Sequence, residues 1–149
     1  DLHRERHSFP TRRSSDLGKK ASIDYKVEKK DLASNLNISA DLTFPEVFAT
    51  ARMIALMECS AAKLMLPLLK DDEKSVGVNV NITHMAATLE DDVAISTATF
   101  VGMEGKLYKF EIEVIDSAGV CGRGTHTRAI VSTSRLIEGA QRRALANKN

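Results

Sequence analysis

The side chains able to share a proton or attack a carbonyl sit in two short stretches of the 149-residue chain. The first is Phe44-Pro45-Glu46-Val47-Phe48-Ala49-Thr50-Ala51-Arg52-Met53-Ile54-Ala55-Leu56-Met57-Glu58, with a hydroxyl and a carboxylate eight residues apart. The second is Thr83-His84-Met85-Ala86-Ala87-Thr88, with an imidazole. Glu58 borders the apolar stripe of a helix, and a carboxylate there is costly unless it has a partner or a task. Alone it is most simply a rim residue paired with Lys or Arg. His84 is either a core histidine bonded to a backbone carbonyl or one half of a catalytic pair. In a partly dry cleft the carboxylate and the imidazole can exchange a proton.

Thr50 has two readings. At the start of a helix it is most simply an N-cap; otherwise it belongs to the same site. Eight helical residues rise about 12 Å, so Thr50 and Glu58 cannot touch within one straight helix. Either Thr50 lies in the preceding loop and folds back, or a second chain helps to close the site. Gly77 interrupts a β-rich run; it marks a bulge, or room for a neighbouring backbone, or a backbone N–H offered to a substrate carbonyl. Gly122-Arg123-Gly124-Thr125-His126-Thr127-Arg128 is a strand with two glycines rather than a dinucleotide loop, because no helix follows them. Arg128 is a surface charge or a ligand for phosphate or carboxylate. His126 alternates in step with Arg128 and has no spacing partner for a metal.

Periodicity supplies the elements that must hold these groups. Met53, Ile54, Met57, Ala61, Leu64, Met65 and Leu68 recur at helical spacing, so one long helix is expected from near Thr50 to about Leu66, with Pro67 ending it. Strands are expected over 22–30, 75–85, 93–101, 107–115 and 120–131, joined after residue 90 by short turns such as Glu104-Gly105 and Asp116-Ser117-Ala118-Gly119. Residues 31–43 read as a loop with one turn of helix. In the second strand Val76, Val78, Val80, Ile82 and His84 share a face, with Gly77, Asn79, Asn81 and Thr83 on the other. The apolar set is expected under the helix, which brings His84 and Glu58 to one helix–sheet interface. Ser134 is the expected cap of a terminal helix with Leu136, Ile137, Ala140 and Ala144 on one face. A single helix on a curled antiparallel sheet is an α+β architecture.

Composition bounds the rest. The length fits one domain with a real core. No apolar run is long enough to span a membrane. Residues 1–17 hold Arg4, Arg6, Arg12 and Arg13 against Asp1, Glu5 and Asp16; without them Lys+Arg falls from 21 to 17 and Asp+Glu from 20 to 17. The neutral remainder gives no argument for a nucleic-acid surface. His7-Ser8-Phe9-Pro10-Thr11-Arg12-Arg13-Ser14-Ser15-Asp16-Leu17 reads like a translated sequencing adapter, and as a targeting peptide it lacks an apolar segment. Residues 1 to about 18 are therefore expected to be disordered or merely packed on the surface, with a single domain over 19–149. Cys59 and Cys121 form no metal or disulfide pattern, so a reducing cytoplasm is expected.

Taken together, Phe44 to Thr50, Leu56-Met57-Glu58, Thr83 to Thr88 and Gly124 to Arg128 resemble the hotdog-fold thioesterases, most closely the fluoroacetyl-CoA thioesterase type. The resemblance runs from about Phe44 to the terminal helix. It implies a hotdog fold, a helix wrapped by an antiparallel sheet, paired as a homodimer or a higher assembly with the site between subunits. It places the family's catalytic Thr, Glu and His at Thr50, Glu58 and His84. It assigns Gly77 to the thioester, Arg128 to the substrate side and Phe44 to an aromatic lid. The position of a second lid aromatic is Asp41 here, a departure that bears on selectivity for the fluorinated substrate. The implied activity is hydrolysis of a small acyl-CoA to free acid and CoA. No metal or separate cofactor is expected, since coenzyme A is part of the substrate. The alternative is a non-hydrolytic hotdog protein, either a hydratase/dehydratase-like lyase or an acyl-CoA-binding module.

Overall fold

The computed structural model describes residues 16–147. Most of the expected disordered tail, residues 1–15, lies outside that range. Its last residues are tied to the sheet: the Gly18 N–H donates to the Phe100 carbonyl at 2.9 Å. The strands are β1 (Lys20–Lys26), β2 (Glu73–His84), β3 (Val93–Glu104), β4 (Leu107–Asp116) and β5 (Gly119–Ser132); the helices are α1 (Thr50–Met65) and α2 (Thr133–Ala146). The five strands form one antiparallel sheet in the order β1-β3-β4-β5-β2. α1 lies across one face. Beyond Met65 the chain tightens into a 3-10 turn, Leu66–Leu68, because Pro67 cannot donate to a continuing helix.

α1 buries Met53, Leu56, Met57, Ser60, Ala61 and Met65 against the sheet. Phe110, Ile112 and Val114 of β4 and Ala94, Ala98 and Phe100 of β3 meet it. Each large side chain so buried contributes about 1.5–3 kcal/mol. The β-branched Ile95, Thr97 and Thr99 face the other way, and the smaller Ala94, Ser96 and Ala98 let the helix approach closely. A polar contact lies within this apolar packing. The Ser60 hydroxyl donates to the Met57 carbonyl at 2.8 Å, so the Ser96 hydroxyl donates to Ser60 at 2.9 Å.

The expected face of β2 is corrected. The register against β5 pairs Gly77 with Arg128 but Val80 with His126, with a shift between Gly77 and Asn79. That bulge turns Gly77 onto the same side as Val80, Ile82 and His84, which strict alternation keeps apart. β2 is also an edge strand, and the helix covers it only in part: Glu58 and Thr50 reach Gly77 and His84, while Val78 is 53% and Val80 38% exposed. Ser134 is not the cap of α2. Ser132 is, accepting from the Arg135 N–H, while Ser134 donates to the Asp72 carboxylate at 2.8 Å. Leu136 and Ile137 on α2 remain exposed in the single chain.

Two 3-10 turns, Lys29–Asp31 and Ala33–Asn35, stand where one helical turn was expected. Asp31 is fully buried. Its carboxylate accepts from Tyr25 O–H at 2.5 Å, from the Glu28 N–H at 2.8 Å and from Arg52 Nε at 2.7 Å. Burial alone would raise its pKa, but these donors hold the carboxyl below its ordinary range. Burial and the Asp31 hydrogen bond push the Tyr25 phenol up to about 12. This cluster ties the segment before α1 to the helix's first turn.

Candidate functional site

Thr50 is the first helical residue, and Ala49 occupies the N-cap without a side-chain bond. The capping role is therefore corrected: the Thr50 hydroxyl is free for other work. Backbone bonds fix its approach on both sides. The Ala49 N–H reaches the Asp31 carbonyl at 2.9 Å and the Phe48 N–H reaches the Thr88 carbonyl at 2.8 Å. His84 closes β2 opposite Gly122. The Met53 sulfur fills the space where a Cβ on Gly122 would stand, at 2.6 Å, so this face of β5 lies directly against the start of α1.

Thr50 Oγ1 and His84 Nδ1 are 2.7 Å apart. His84 Nε2 is buried and has no protein partner. The pair borders an open cleft of about 350 Å³, lined also by Phe44, Pro45, Val47 and Met85. Two tautomers are available. When Thr50 donates to Nδ1, Nε2 carries a hydrogen for a developing oxyanion or a leaving thiolate. When Nδ1 donates to Thr50, Nε2 is a free base.

Glu58 is not in that cleft. Its Oε2 accepts from Arg128 Nη1 at 2.9 Å, and the Arg128 side chain is 7% exposed. The expectation that one chain places Glu58 beside His84 is therefore corrected, for the reason already set by helix rise: Thr50 and Glu58 stand about 12 Å apart along α1. Gly77 lies under the carboxylate. A Cβ built there meets Glu58 Oε2 at 2.6 Å and His126 Cε1 at 3.2 Å. Arg128 is further held by the Ser75 hydroxyl at 3.1 Å and the Ser75 carbonyl at 2.9 Å. Thus Glu58, Arg128 and Gly77 are brought together at one end of β2, and Thr50, His84 and Phe44 at the other.

Sequence reasoning missed His126. It is 2% exposed, and its Nε2 faces Arg128 Nη1 at 3.1 Å while Nδ1 faces the Asn79 carbonyl at 2.8 Å. Burial, helped by the Arg128 charge, pushes the imidazole below its ordinary pKa. The signal was its alternation with Arg128, which stands opposite Gly77, a residue without a side chain. Among the described residues no cluster of His, Cys, Asp and Glu is arranged to hold a metal ion.

The chain resembles known proteins along most of its length. The model of the fluoroacetyl-CoA-specific thioesterase family matches residues 27–134. The fluoroacetyl-CoA thioesterase of Streptantibioticus cattleyicolor is 38% identical over 93 residues, 62% of this chain and 67% of that protein. A solved structure of the fluoroacetyl-CoA thioesterase FlK superposes with a TM-score of 0.80 at 30% identity, covering 85% of this chain and 95% of its own. A variant of FlK in complex with fluoroacetate and CoA superposes with a TM-score of 0.77 at 30% identity, covering 80% of this chain and 98% of its own. Helix, sheet and matched span agree: this chain belongs to the fluoroacetyl-CoA thioesterase family of hotdog-fold thioester hydrolases.

Proposed function

We propose that this protein hydrolyses a small acyl-CoA in a site completed between two copies of the chain. The observation that carries the reading is the division of the constellation: the Thr50–His84 pair at one end of β2 and Glu58 with Gly77 at the other. β2 is an exposed edge strand with apolar Val78 and Val80 uncovered, a surface suited to an isologous partner. A twofold axis passing between Val80 and Asn81 sets Gly77 of one chain opposite the partner's His84. Each dimer then holds two sites, with Glu58 from one copy and Thr50 and His84 from the other.

The thioester carbonyl rests on the backbone at Gly77, where an N–H can stabilise the oxyanion. Glu58 supplies the carboxylate. It either attacks the thioester carbon, giving an acyl-enzyme anhydride that water then opens, or it deprotonates the attacking water. In both routes the C–S bond breaks, the His84 Nε2–H hydrogen-bonds the departing CoA thiolate, and the thiol takes its proton from the water that is consumed. Thr50 sets the tautomer at Nδ1. Phe44, 48% exposed at the mouth of the cleft, covers the acyl end. Asp41 takes the sequence place of the family's second lid aromatic, so the acyl group is a short one not restricted to fluoroacetyl. Free, unpaired Cys59 and Cys121 support a cytoplasmic setting.

Thiol release from a panel of short acyl-CoAs tests the activity, and subunit mixing tests the architecture. Thr50→Ala and Glu58→Ala are each expected to be inactive. Statistical mixing after unfolding and refolding regenerates one intact site per mixed dimer, about a quarter of parental activity. No gain on mixing overturns the shared site. No thiol from any short acyl-CoA overturns hydrolysis; a new C=C absorbance without thiol would identify a lyase, and thermal stabilisation by CoA esters without product a binding module. Turnover in oxygen-18 water identifies direct attack when label enters the Glu58 carboxylate, which happens only when water opens an anhydride at the Glu58 carbon.

A further inference from the structure

His126 lies outside the Thr50, Glu58 and His84 set, yet it is the residue through which the glutamate end of the site is held together. An arginine guanidinium only donates hydrogen bonds. Because Arg128 Nη1 lies 3.1 Å from His126 Nε2, that nitrogen must be the acceptor. The ring proton is then on Nδ1, where it donates to the Asn79 carbonyl at 2.8 Å. Asn79 is the residue at which the β2 register resumes after the bulge that begins at Gly77. The same Nη1 group that faces His126 donates to Glu58 Oε2 at 2.9 Å. One imidazole therefore joins the bulge, which sets the direction of the Gly77 backbone, to the guanidinium, which sets the direction of the Glu58 carboxylate.

We propose that His126, kept as the neutral Nδ1–H tautomer, is a positioning residue that aligns Glu58 with the Gly77 backbone, and that its protonation uncouples them. A second proton would sit on Nε2 and point at an arginine N–H, replacing an attraction with a clash of donors and of charges. The surroundings resist that proton. Arg128 of β5 is the cation against the ring, and Glu58 of α1 is the anion on the far side of Arg128. β2 offers the Asn79 carbonyl and Gly77 and no ionisable side chain at the contact; β4 sets Phe110 opposite His126 and Tyr108 opposite Arg128. Buried and beside a guanidinium, the imidazole is pushed below its ordinary pKa. The link holds at neutral pH and opens on the acid side. This inference rests on the thioesterase reading for its catalytic consequence but not for its structural one.

Three variants and one spectrum test it. His126→Leu removes both bonds and is expected to lower kcat by about 10- to 100-fold, the fold-change of a lost charge-assisted hydrogen bond, with KM within about threefold. His126→Asn keeps the donor to Asn79 but loses the Arg128 bond and falls in the same range. His126→Gln, whose amide oxygen can take the Arg128 hydrogen bond, retains more activity than either, and the acid limb of its kcat profile set by this imidazole disappears. Equal losses in all three variants with an unchanged pH profile would overturn the positioning role, as would unchanged kcat in His126→Leu. Nitrogen-15 NMR of the histidine-labelled parent reads the tautomer without turnover. A protonated Nδ1 and bare Nε2 that persist below the ordinary imidazole range support the assignment. An Nε2–H tautomer, or a doubly protonated ring at neutral pH, overturns it. Should the parent release no thiol, the spectrum still decides the tautomer and the thioesterase reading alone fails.

Discussion

Asp31 and Arg52 form a two-pronged ion pair: one carboxylate oxygen, Oδ1, accepts from Nε and from Nη2, each at 2.7 Å. The carboxylate is fully buried and the guanidinium 40% exposed, two residues along α1 from Thr50. Such a pair fixes the entry to the helix more than it holds the fold together. Asp31→Asn is expected to cost about 2–3 kcal/mol, since it leaves the Arg52 and Tyr25 donors poorly matched while Arg52 can turn to water. Chemical denaturation of the two proteins gives the difference directly. A change below a few tenths of a kcal/mol would mean that the cluster anchors nothing.

Three groups in the clusters described above contribute to the pH dependence of stability. Asp31 is held below the carboxylate range, so its contribution is present above the unfolded-state titration and is lost as pH falls through the lower folded-state value. His126 is also lowered, but as a base. The unfolded chain takes up its proton first, so stability declines as pH drops through the ordinary imidazole range. Tyr25 is raised to about 12, so its contribution is present below the ordinary tyrosine value and disappears as pH rises through about 12. Thermal melts from neutral to acid pH should show the decline beginning earlier in the parent than in His126→Gln. Parallel curves would contradict the assignment to His126.

Gly77→Ala places a methyl 2.6 Å from Glu58 Oε2. The atom in its way is the far end of a flexible side chain, so the fold yields at small cost while the carboxylate moves. Activity is expected to fall about 100-fold, the usual result of displacing a catalytic group by about 1 Å. The melting temperature should move by only a few degrees. A variant of full activity would show that the Glu58 position is not critical.

Thr50→Val keeps the shape of the side chain and deletes the hydroxyl that meets His84 Nδ1. Thr50 is exposed and caps nothing, so the stability change should stay within about 0.5 kcal/mol. The expected drop in kcat is about 100- to 1000-fold, and Thr50→Ser should recover a large part of it. Steady-state kinetics on any acyl-CoA that is turned over will show this. Comparable rates for Val and Thr would remove Thr50 from the chemistry.

The helix and the β4 alternation were legible because their burial follows regular periods of 3.6 and 2. The apolar stripe through Met53, Met57, Ala61 and Met65 is the buried face of α1, and Phe110, Ile112 and Val114 are the buried face of β4. β2 was half legible: Gly77 marked the bulge, but the strict alternation expected along the strand ignored the extra residue that follows it and reverses the faces. Ser134 was expected as the cap, but Ser132 accepts from the Arg135 N–H; both hydroxyls also bond Asp72, so residue type alone does not separate them. The separation of Glu58 from His84 was half visible: helix rise forbade contact between Thr50 and Glu58, but pattern alone could not say which of the two His84 would join. His126 stayed hidden because its role depends on a guanidinium aligned by the bulge.

The hydroxyl bridge between Ser60 and Ser96 has a bearing on all of this. In an otherwise oily seam any rotation of the helix about its own axis would cost little, because thioethers and methyls slide past one another readily. A directional bond within it helps to index the cylinder like a keyway on a shaft. Glu58, half a turn earlier, inherits part of that angular setting before the Arg128 guanidinium completes it, so two small alcohols that never meet a substrate help to aim the acid.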